Sequence, residues 1–215
     1  MISFDMHFYV HTSEKGHPSD LEIPQNVLKL IFRGVDMSNI RNSGKTPDKE
    51  PPGIISFGTA EQVFRHSKMR QMLTECPIPD AELARNMGLF LVPQTLSRIL
   101  FMDFLYRNTL EVQGVVMEFG CRWGQNISLF GSMRGIYEPF NRLRKIIAFD
   151  TFLGFPSVDN QDGDLVAAGS YATTLGYEKY LDKIMQYIEA DSPLAHLKKY
   201  EIVKGDVTET LPHYL

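Results

Sequence analysis

The order of short β-prone runs and longer helical stretches between residues 115 and 204 constrains the fold of this chain more than any other feature. Three runs contain adjacent β-branched residues and are typical of strands; they are residues 115–119, 145–149 and 201–204. Two stretches between them carry apolar side chains at helical spacing, residues 124–136 and 177–188. This order predicts parallel strands joined by crossover helices, which is an α/β fold of the Rossmann-like, doubly wound type.

The chain before this segment has a different pattern. Apolar and polar residues alternate in residues 2–10, which predicts a terminal strand that pairs at a sheet edge or reaches a second subunit. A polar loop rich in proline and glycine follows at residues 41–53, and helical patterns come after it, the clearer one from Pro93. We therefore divide the chain into an N-terminal extension, residues 1–85, and a Rossmann-like domain, residues 86–215.

The number of strands falls short of a complete doubly wound sheet. Such a sheet normally has five or more strands, and the chain stops at Leu215 soon after the third predicted parallel strand. We expect that this chain is a fragment of a longer domain. The alternative is that the N-terminal region or a partner supplies the missing strands.

Composition excludes several classes of protein. With 43% hydrophobic residues and a net charge of -4, the chain can build a core and has no basic surface for nucleic acid. The short basic run at Arg142, Arg144 and Lys145 is interpreted as a solvated loop.

Cys76 and Cys121 are far apart and form no CxxC pair, which excludes a disulfide framework and a thiolate zinc site. The N-terminal segment lacks the basic and long apolar regions of a secretory leader, so we expect none, and no run reaches about 18 apolar residues. We predict a cytoplasmic protein without nucleic-acid or membrane partners, and the terminal strand indicates a homo-oligomer.

The turn EFGCRWGQN after the first predicted parallel strand carries the first candidate ligand residues. Gly120 and Gly124 are spaced GxxxG, which matches the GxGxxG cradle of a pyrophosphate poorly. Glu118 can face an ammonium group, and the turn amides can face a carboxylate. S-adenosylmethionine has both groups. A plain strand-to-helix turn whose glycines only satisfy geometry explains the same residues equally well.

Acidic residues also follow the next two predicted strands. Asp150 ends the second, where a carboxylate can accept hydrogen bonds from both ribose hydroxyls. Asp206 follows the third and can accept from an adenine amino group. Either residue can instead be an ordinary helix cap or turn aspartate. Because the carboxyl ends of parallel strands meet at one sheet edge, three acids there favour one ligand site.

Three segments together resemble a known family of enzymes. VVMEFGCRWGQNISLF, KIIAFDTFLGFP and VKGDVTETLP look like the macrocin O-methyltransferase family, which methylates sugars on antibiotics. The most specific piece is FDTFLGFP, residues 149–156, and the resemblance covers roughly residues 93–215. It implies a class I methyltransferase sheet, S-adenosylmethionine as methyl donor, and often a magnesium ion.

The resemblance also implies residue roles. The residues around the methionine part would be Glu118, Gly120, Arg122, Trp123 and Gly124. Those that hold the ribose and flank the adenine would be Asp150, Thr151 and Phe152, with Asp206 and Val207 reaching the adenine. In this family the metal-binding aspartates and the catalytic base follow the fourth strand. We therefore expect any Mg²⁺ ligands beyond Leu215, and we assign neither catalytic residues nor metal ligands in this chain.

Two other clusters carry weaker signals. Asp159, Asp162 and Asp164 lie in one loop, but their offsets fail those of an EF-hand. This loop is either an acidic lid near the substrate or a plain solvated loop. His7 and His11 lie too far apart on a strand to share a metal without other ligands, and we interpret them as an incidental surface pair.

The resemblance, together with the three acidic strand ends, implies an S-adenosylmethionine-dependent O-methyltransferase. Its small-molecule partner would be the sugar hydroxyl of a natural product or of a glycoside derived from a nucleotide sugar, which displaces the sulfonium sulfur in line. A nucleotide-dependent oxidoreductase is the first alternative, although GCRWG is a poor phosphate cradle. The second is a non-catalytic assembly protein that retains the fold.

Overall fold

The computed structural model describes residues 8–10, 58–158 and 167–214. Of these, residues 8–10, 102–158 and 167–214 belong to one compact unit, and residues 58–101 belong to a second. The first unit contains the sheet and every candidate ligand residue named above.

A four-stranded sheet in the order β1-β2-β3-β4 forms the centre of the first unit. Its strands are β1 (Phe8–Val10), β2 (Val116–Phe119), β3 (Ile146–Asp150) and β4 (Tyr200–Lys204). β2, β3 and β4 are parallel, as predicted. β1 runs antiparallel to β2 at the sheet edge, with Phe8 opposite Glu118, so the predicted edge pairing is confirmed for these three residues. Residues 2–7 and the predicted loop at 41–53 lie outside the described residues.

Helices follow each parallel strand. They are α4 (Gln125–Tyr137) after β2, α5 (Tyr177–Ala190) after β3 and α6 (Val207–Tyr214) after β4. The predicted α/β crossover pattern is therefore confirmed, and α6 extends it beyond the prediction. α4 and α5 pack closely at Gly131, which has no side chain. A Cβ on this residue would lie 3.1 Å from Cε of Met185.

The core of the unit lies on both sides of the central strands. One cluster of buried side chains consists of Met117, Ile147 and Phe149, and α6 covers it with Val207, Leu211 and Tyr214. Each apolar side chain of this size contributes about 1.5–3 kcal/mol when fully buried. Successive side chains of a strand point to opposite faces of the sheet. A register shift by one residue would move these side chains out of the cluster, so burial of the cluster fixes the register of the strands.

The second unit is helical. It contains α1 (Ala60–Thr74), α2 (Asp80–Leu83) and a 3₁₀ helix (Ala84–Phe90), and α3 (Pro93–Asn108) begins in it and ends in the first unit. α1 starts with a capping box, in which Thr59 and Gln62 exchange hydrogen bonds between side chain and backbone. None of its residues is fully buried.

Arg144 corrects the interpretation of the basic run as a solvated loop. Its side chain is 1% exposed, whereas Arg142 and Lys145 are exposed as expected. The guanidinium donates to the carbonyls of Thr109, Val112 and Gly114 at 2.7–2.9 Å, and it pairs with the Glu138 carboxylate at 3.0 Å. The arginine is buried because these acceptors satisfy its donors, which holds the segment before β2 in place.

Glu138 gives this network a pH dependence. Burial raises the pKa of Glu138, but hydrogen bonds from Arg144, Tyr106 and Asn141 outweigh it and hold the pKa below the ordinary value of 4.5. A carboxyl group with a lowered pKa in the folded state stabilises the fold above its unfolded pKa, and this contribution is lost as pH falls through the folded pKa. We expect the difference in unfolding free energy between wild type and Glu138→Gln to shrink from about pH 7 to about pH 3. Urea unfolding at a series of pH values measures it, and a constant difference would contradict the prediction.

Among the described residues no single helix is long and apolar enough to cross a membrane. One bent helix pair, Asp80–Phe90 with Pro93–Asn108, meets the length and composition test when its two parts are taken together.

Candidate functional site

The ends of the three parallel strands lie side by side. The pairing of β2 with β3 places Glu118 beside Ala148, and that of β3 with β4 places Asp150 beside Lys204. Backbone bonds continue past the strands, from the Gly120 N–H to the Phe149 carbonyl at 2.8 Å and from the Gly205 N–H to the Asp150 carbonyl at 2.9 Å. The segments that carry Glu118, Asp150 and Asp206 therefore share the carboxyl edge of the sheet.

Glu118 is a buried acid next to an open glycine. Glu118 is only 4% exposed, and its Oε1 accepts a hydrogen bond from Nδ2 of Asn126 at 2.9 Å. Gly120 has a φ of 77°, and a Cβ added there would meet no atom of the described residues within 4 Å. The backbone at Gly120 therefore borders open space, where a ligand can approach closely.

Asp150 holds together the two turns that follow β2 and β3. Its Oδ2 accepts the backbone N–H of Arg122, and its Oδ1 accepts that of Phe152, both at 2.6 Å. Both donors belong to residues with left-handed backbone, φ 48° at Arg122 and 59° at Phe152. Such backbone is uncommon away from glycine and is kept only where the surroundings enforce it. A carboxylate has about four acceptor positions, so Asp150 keeps capacity for a ligand hydroxyl.

Cys121 is a buried residue of the same turn. Burial, followed by the nearby charges of Asp150 and Glu118, raises the pKa of the Cys121 thiol. Burial, followed by the neighbouring Tyr180 and Cys121, raises the pKa of the Tyr177 hydroxyl. Cys121 is therefore a neutral, buried filler of the turn at ordinary pH.

Aromatic side chains line the turn. The rings of Trp123 and Tyr177 meet edge to face with centroids 4.7 Å apart, and the Tyr177 hydroxyl donates to the Trp123 carbonyl at 3.0 Å. The Arg122 guanidinium lies 5.6 Å from the Trp123 ring centroid and 5.1 Å from that of Tyr171. Trp123 remains 42% exposed, which is high for a residue of this size.

Other residues named from the sequence have structural contacts of their own. Gly124 has a φ of 71°, and a Cβ there would lie within 3 Å of the Leu181 side chain, so this glycine permits α5 to pack on the turn. Thr151 closes its own turn by donating to the Gly154 carbonyl at 2.8 Å. Phe152 is 3% exposed, and Val207 packs on the core cluster. Their predicted contacts with a cofactor stay predictions.

Asp206 stabilises the turn after β4, which is the role that the sequence analysis gave as the alternative to an adenine contact. Its Oδ1 accepts the hydroxyl of Thr208 at 2.7 Å and the backbone N–H of the same residue at 2.9 Å. These two bonds lower the pKa of Asp206. A carboxylate with four acceptor positions can serve a turn and a ligand together, so the predicted adenine contact is compatible with this geometry.

Metal-binding residues were left unassigned, and the described part of the chain adds none. Within residues 8–10, 58–158 and 167–214, no group of three or more His, Cys, Asp or Glu side chains could hold a metal ion. The predicted use of magnesium has no support there, and we derive no step through a metal. His7, His11 and the acidic residues Asp159, Asp162 and Asp164 lie outside the described residues.

Three residues at this edge were missed by sequence reasoning. Asn126 is a buried polar residue among the mostly apolar buried residues of α4, and that position was a usable signal. Tyr171 and Tyr177 contact the turn from segments distant in the chain, and no local pattern indicates them.

Comparisons with known proteins agree with this geometry. A crystal structure of CalS11, a calicheamicin methyltransferase, is 38% identical over 80% of this chain and 68% of its own, with a TM-score of 0.72. The chain belongs to the antibiotic sugar O-methyltransferase family. An apo structure of CalS11, described as a TDP-rhamnose 3'-O-methyltransferase of calicheamicin biosynthesis, is 37% identical over 74% of this chain and 62% of its own, with a TM-score of 0.63. No protein-family model and no curated protein matches the chain.

This membership confirms the family predicted from the FDTFLGFP segment and its neighbours. The assignment of Glu118, Asp150 and Asp206 to a methyl-donor site stays a prediction. The comparisons support a methyltransferase that acts on a small molecule.

Proposed function

We propose that this chain is an S-adenosylmethionine-dependent O-methyltransferase that acts on a sugar hydroxyl. The observation that carries the proposal is the clustering of Glu118, Gly120 and Asp150 at one sheet edge, with the two turns linked by the Asp150 carboxylate. The CalS11 neighbours support the sugar as acceptor, and TDP-linked sugars are the acceptor class that their description favours.

The residues present fit the donor. The space beside Gly120 lets a ligand approach the backbone closely. A side chain at this position would fill that space. The buried Glu118 carboxylate is oriented by Asn126 and suits an ammonium group. Asp150 retains acceptor positions for the ribose hydroxyls, while Asp206 is held at the end of β4 for the adenine amino group.

The chain contributes to the reaction by positioning. S-adenosylmethionine supplies an electrophilic methyl group when bound. The linked turns fix its binding groups on rigid strands, and correct alignment of two reactants contributes up to about 7–11 kcal/mol to lowering a barrier. A sugar hydroxyl is a weak nucleophile at neutral pH and needs a base. We assign no catalytic base among the described residues.

Titration with S-adenosylhomocysteine tests the proposal. We expect heat of binding by calorimetry and a rise in melting temperature, since a ligand at about 100 times its Kd adds about 2.7 kcal/mol to stability. NADH serves as the control ligand, because a glycine turn without a phosphate cradle should not bind it. Binding of NADH and no binding of S-adenosylhomocysteine would overturn the proposal in favour of an oxidoreductase.

A further inference from the structure

The loop between β3 and α5 is held as one unit beside the candidate site. Its described parts are residues 151–158 and residues 167–176. The Phe155 N–H donates to the Ser170 carbonyl at 3.1 Å, and the Phe155 carbonyl accepts the Gly169 N–H at 2.9 Å. These backbone bonds join the two parts, so the side chains of both belong to one ordered surface.

This loop continues the carboxyl edge of the sheet. The Thr173 N–H donates to the Phe152 carbonyl at 3.1 Å, which ties the second part of the loop to the turn after β3. The ring of Tyr171 meets that of Phe155 edge to face at 5.6 Å and lies 5.1 Å from the Arg122 guanidinium. In-line transfer requires reacting atoms about 3–3.5 Å apart, so an acceptor must lie against surfaces that adjoin the donor edge. The loop is such a surface.

The loop exposes apolar side chains at this edge. Leu175 is 91% exposed, Leu153 is 62% exposed and Phe155 is 44% exposed. Scattered apolar residues on a surface are ordinary, but three on one ordered loop beside the carboxyl ends of parallel strands indicate a contact surface. Tyr171 also has left-handed backbone, with a φ of 66°. Such backbone is uncommon away from glycine and clusters at ligand sites.

The charge of the loop disfavours an anionic ligand. Residues 151–176 contain three aspartates and no lysine, arginine or histidine. Lys204 at the end of β4 is paired with Glu178 at 2.9 Å. Arg122, which contacts Tyr171, belongs to the turn that the resemblance assigns to the donor. A diphosphate is recognised by cationic partners and is repelled by carboxylates, whereas an uncharged apolar group meets neither requirement nor penalty.

We propose that Leu153, Phe155 and Leu175 bind an uncharged, apolar aglycone, so that the acceptor is a neutral glycoside. The inference rests on the proposed function and names the class of its acceptor. The competing class is the TDP-linked sugar in the description of CalS11, whose diphosphate would face a loop that has acids and no base. The sugar hydroxyl would lie toward the donor, with the aglycone against the loop.

Calorimetry on the protein saturated with S-adenosylhomocysteine tests the proposal with three forms of one sugar. The ligands are octyl rhamnoside, methyl rhamnoside and TDP-rhamnose. We expect octyl rhamnoside to bind at least about 10-fold more tightly than methyl rhamnoside, because burial of a few methylene groups accounts for that factor. It should also bind more tightly than TDP-rhamnose. Leu175→Ser should weaken octyl rhamnoside by about 10-fold and leave methyl rhamnoside unchanged.

The matched control is Leu143→Ser. Leu143 is 77% exposed and precedes β3, whereas the loop follows it, so this variant should keep all three affinities. Phe155→Ser is the second test variant, and Phe140→Ser, at a residue that is 74% exposed, is its control. Retained affinity for S-adenosylhomocysteine shows that a variant is folded.

The outcomes separate this inference from the proposed function. Tighter binding of TDP-rhamnose than of octyl rhamnoside, or no binding of octyl rhamnoside, would overturn the inference while S-adenosylhomocysteine binding upholds the proposed function. An advantage of the octyl chain that survives both Leu175→Ser and Phe155→Ser would place the aglycone elsewhere and also overturn it. If Leu175→Ser instead dissociates an oligomer in sedimentation experiments, the loop contacts a second copy and the inference fails. A wild-type protein that does not bind S-adenosylhomocysteine would overturn the proposed function itself.

Discussion

Replacing Glu189 by glutamine is expected to lower the free energy of unfolding by about 3–5 kcal/mol. Glu189 is 5% exposed and lies between two buried cations. Its Oε1 is 2.7 Å from Nη2 of Arg134 and 2.5 Å from Nζ of Lys199, and its Oε2 accepts the Lys199 backbone N–H at 3.1 Å. The amide of glutamine has no charge and turns a donor toward one of these groups, which leaves two buried cations uncompensated.

This cluster joins three elements that the sheet needs. Arg134 is on α4, Glu189 is on α5, and Lys199 immediately precedes β4. Arg134 also donates to the Lys199 carbonyl at 2.9 Å, and the Lys199 ammonium donates to the carbonyls of Leu194 and Leu197 at 2.9 and 3.1 Å. The loss therefore spreads to the loop between α5 and β4.

Urea unfolding followed by circular dichroism measures the change. The control is Glu61→Gln, which removes an exposed carboxylate 3.6 Å from Arg65 and should change stability by less than about 1 kcal/mol. A loss below about 1 kcal/mol for Glu189→Gln would show that the buried cations find other acceptors.

The strands could be predicted from the sequence because their cause is local. Adjacent β-branched residues favour a pleated, half-buried backbone, so β2 and β3 were placed within one residue. The acids at the strand ends followed from the rule that parallel strands present their carboxyl ends together. Family membership rested on the FDTFLGFP segment, which follows β3 as expected.

The remaining features depend on partners distant in the chain. Arg144 is charged and lies in a basic run, so nothing local shows that three carbonyls and Glu138 will bury it. α6 was not predicted, since its apolar face makes sense only against the cluster of Met117, Ile147 and Phe149. Tyr171 reaches Arg122 across 49 positions of sequence. Tertiary contacts decide such cases, and local propensity does not.

Asp150→Asn is expected to weaken S-adenosylhomocysteine binding by at least about 100-fold. The carboxylate accepts two charge-assisted hydrogen bonds, from the N–H groups of Arg122 and Phe152, and each contributes about 1.5–3 kcal/mol. Asparagine offers one acceptor oxygen where the carboxylate uses two, one for the Arg122 N–H and one for the Phe152 N–H. Its amide nitrogen would face one of these donors, so one turn must move. The ribose hydroxyls would lose a charged acceptor in the same step.

Calorimetry measures the change, with Asp103→Asn as the matched control. Asp103 also binds two side chains: it accepts a hydrogen bond from the Tyr137 hydroxyl at 2.6 Å and pairs with Arg107 at 3.0 Å. It lies on α3 and not at a strand end. That variant should bind S-adenosylhomocysteine as wild type does. Affinity of Asp150→Asn within about threefold of wild type would exclude the carboxylate from the site, because even a single charged hydrogen bond exceeds that factor.

A ligand without ribose hydroxyls separates direct contact from loss of the turns. If Asp150 holds the ribose, wild type binds S-adenosylhomocysteine more tightly than its 2',3'-dideoxy analogue, and Asp150→Asn binds the two alike. If Asp150 acts only by linking the turns, the substitution weakens both ligands by the same factor. The coupling between the two changes is the quantity to measure, because groups in contact are not additive whereas independent groups are.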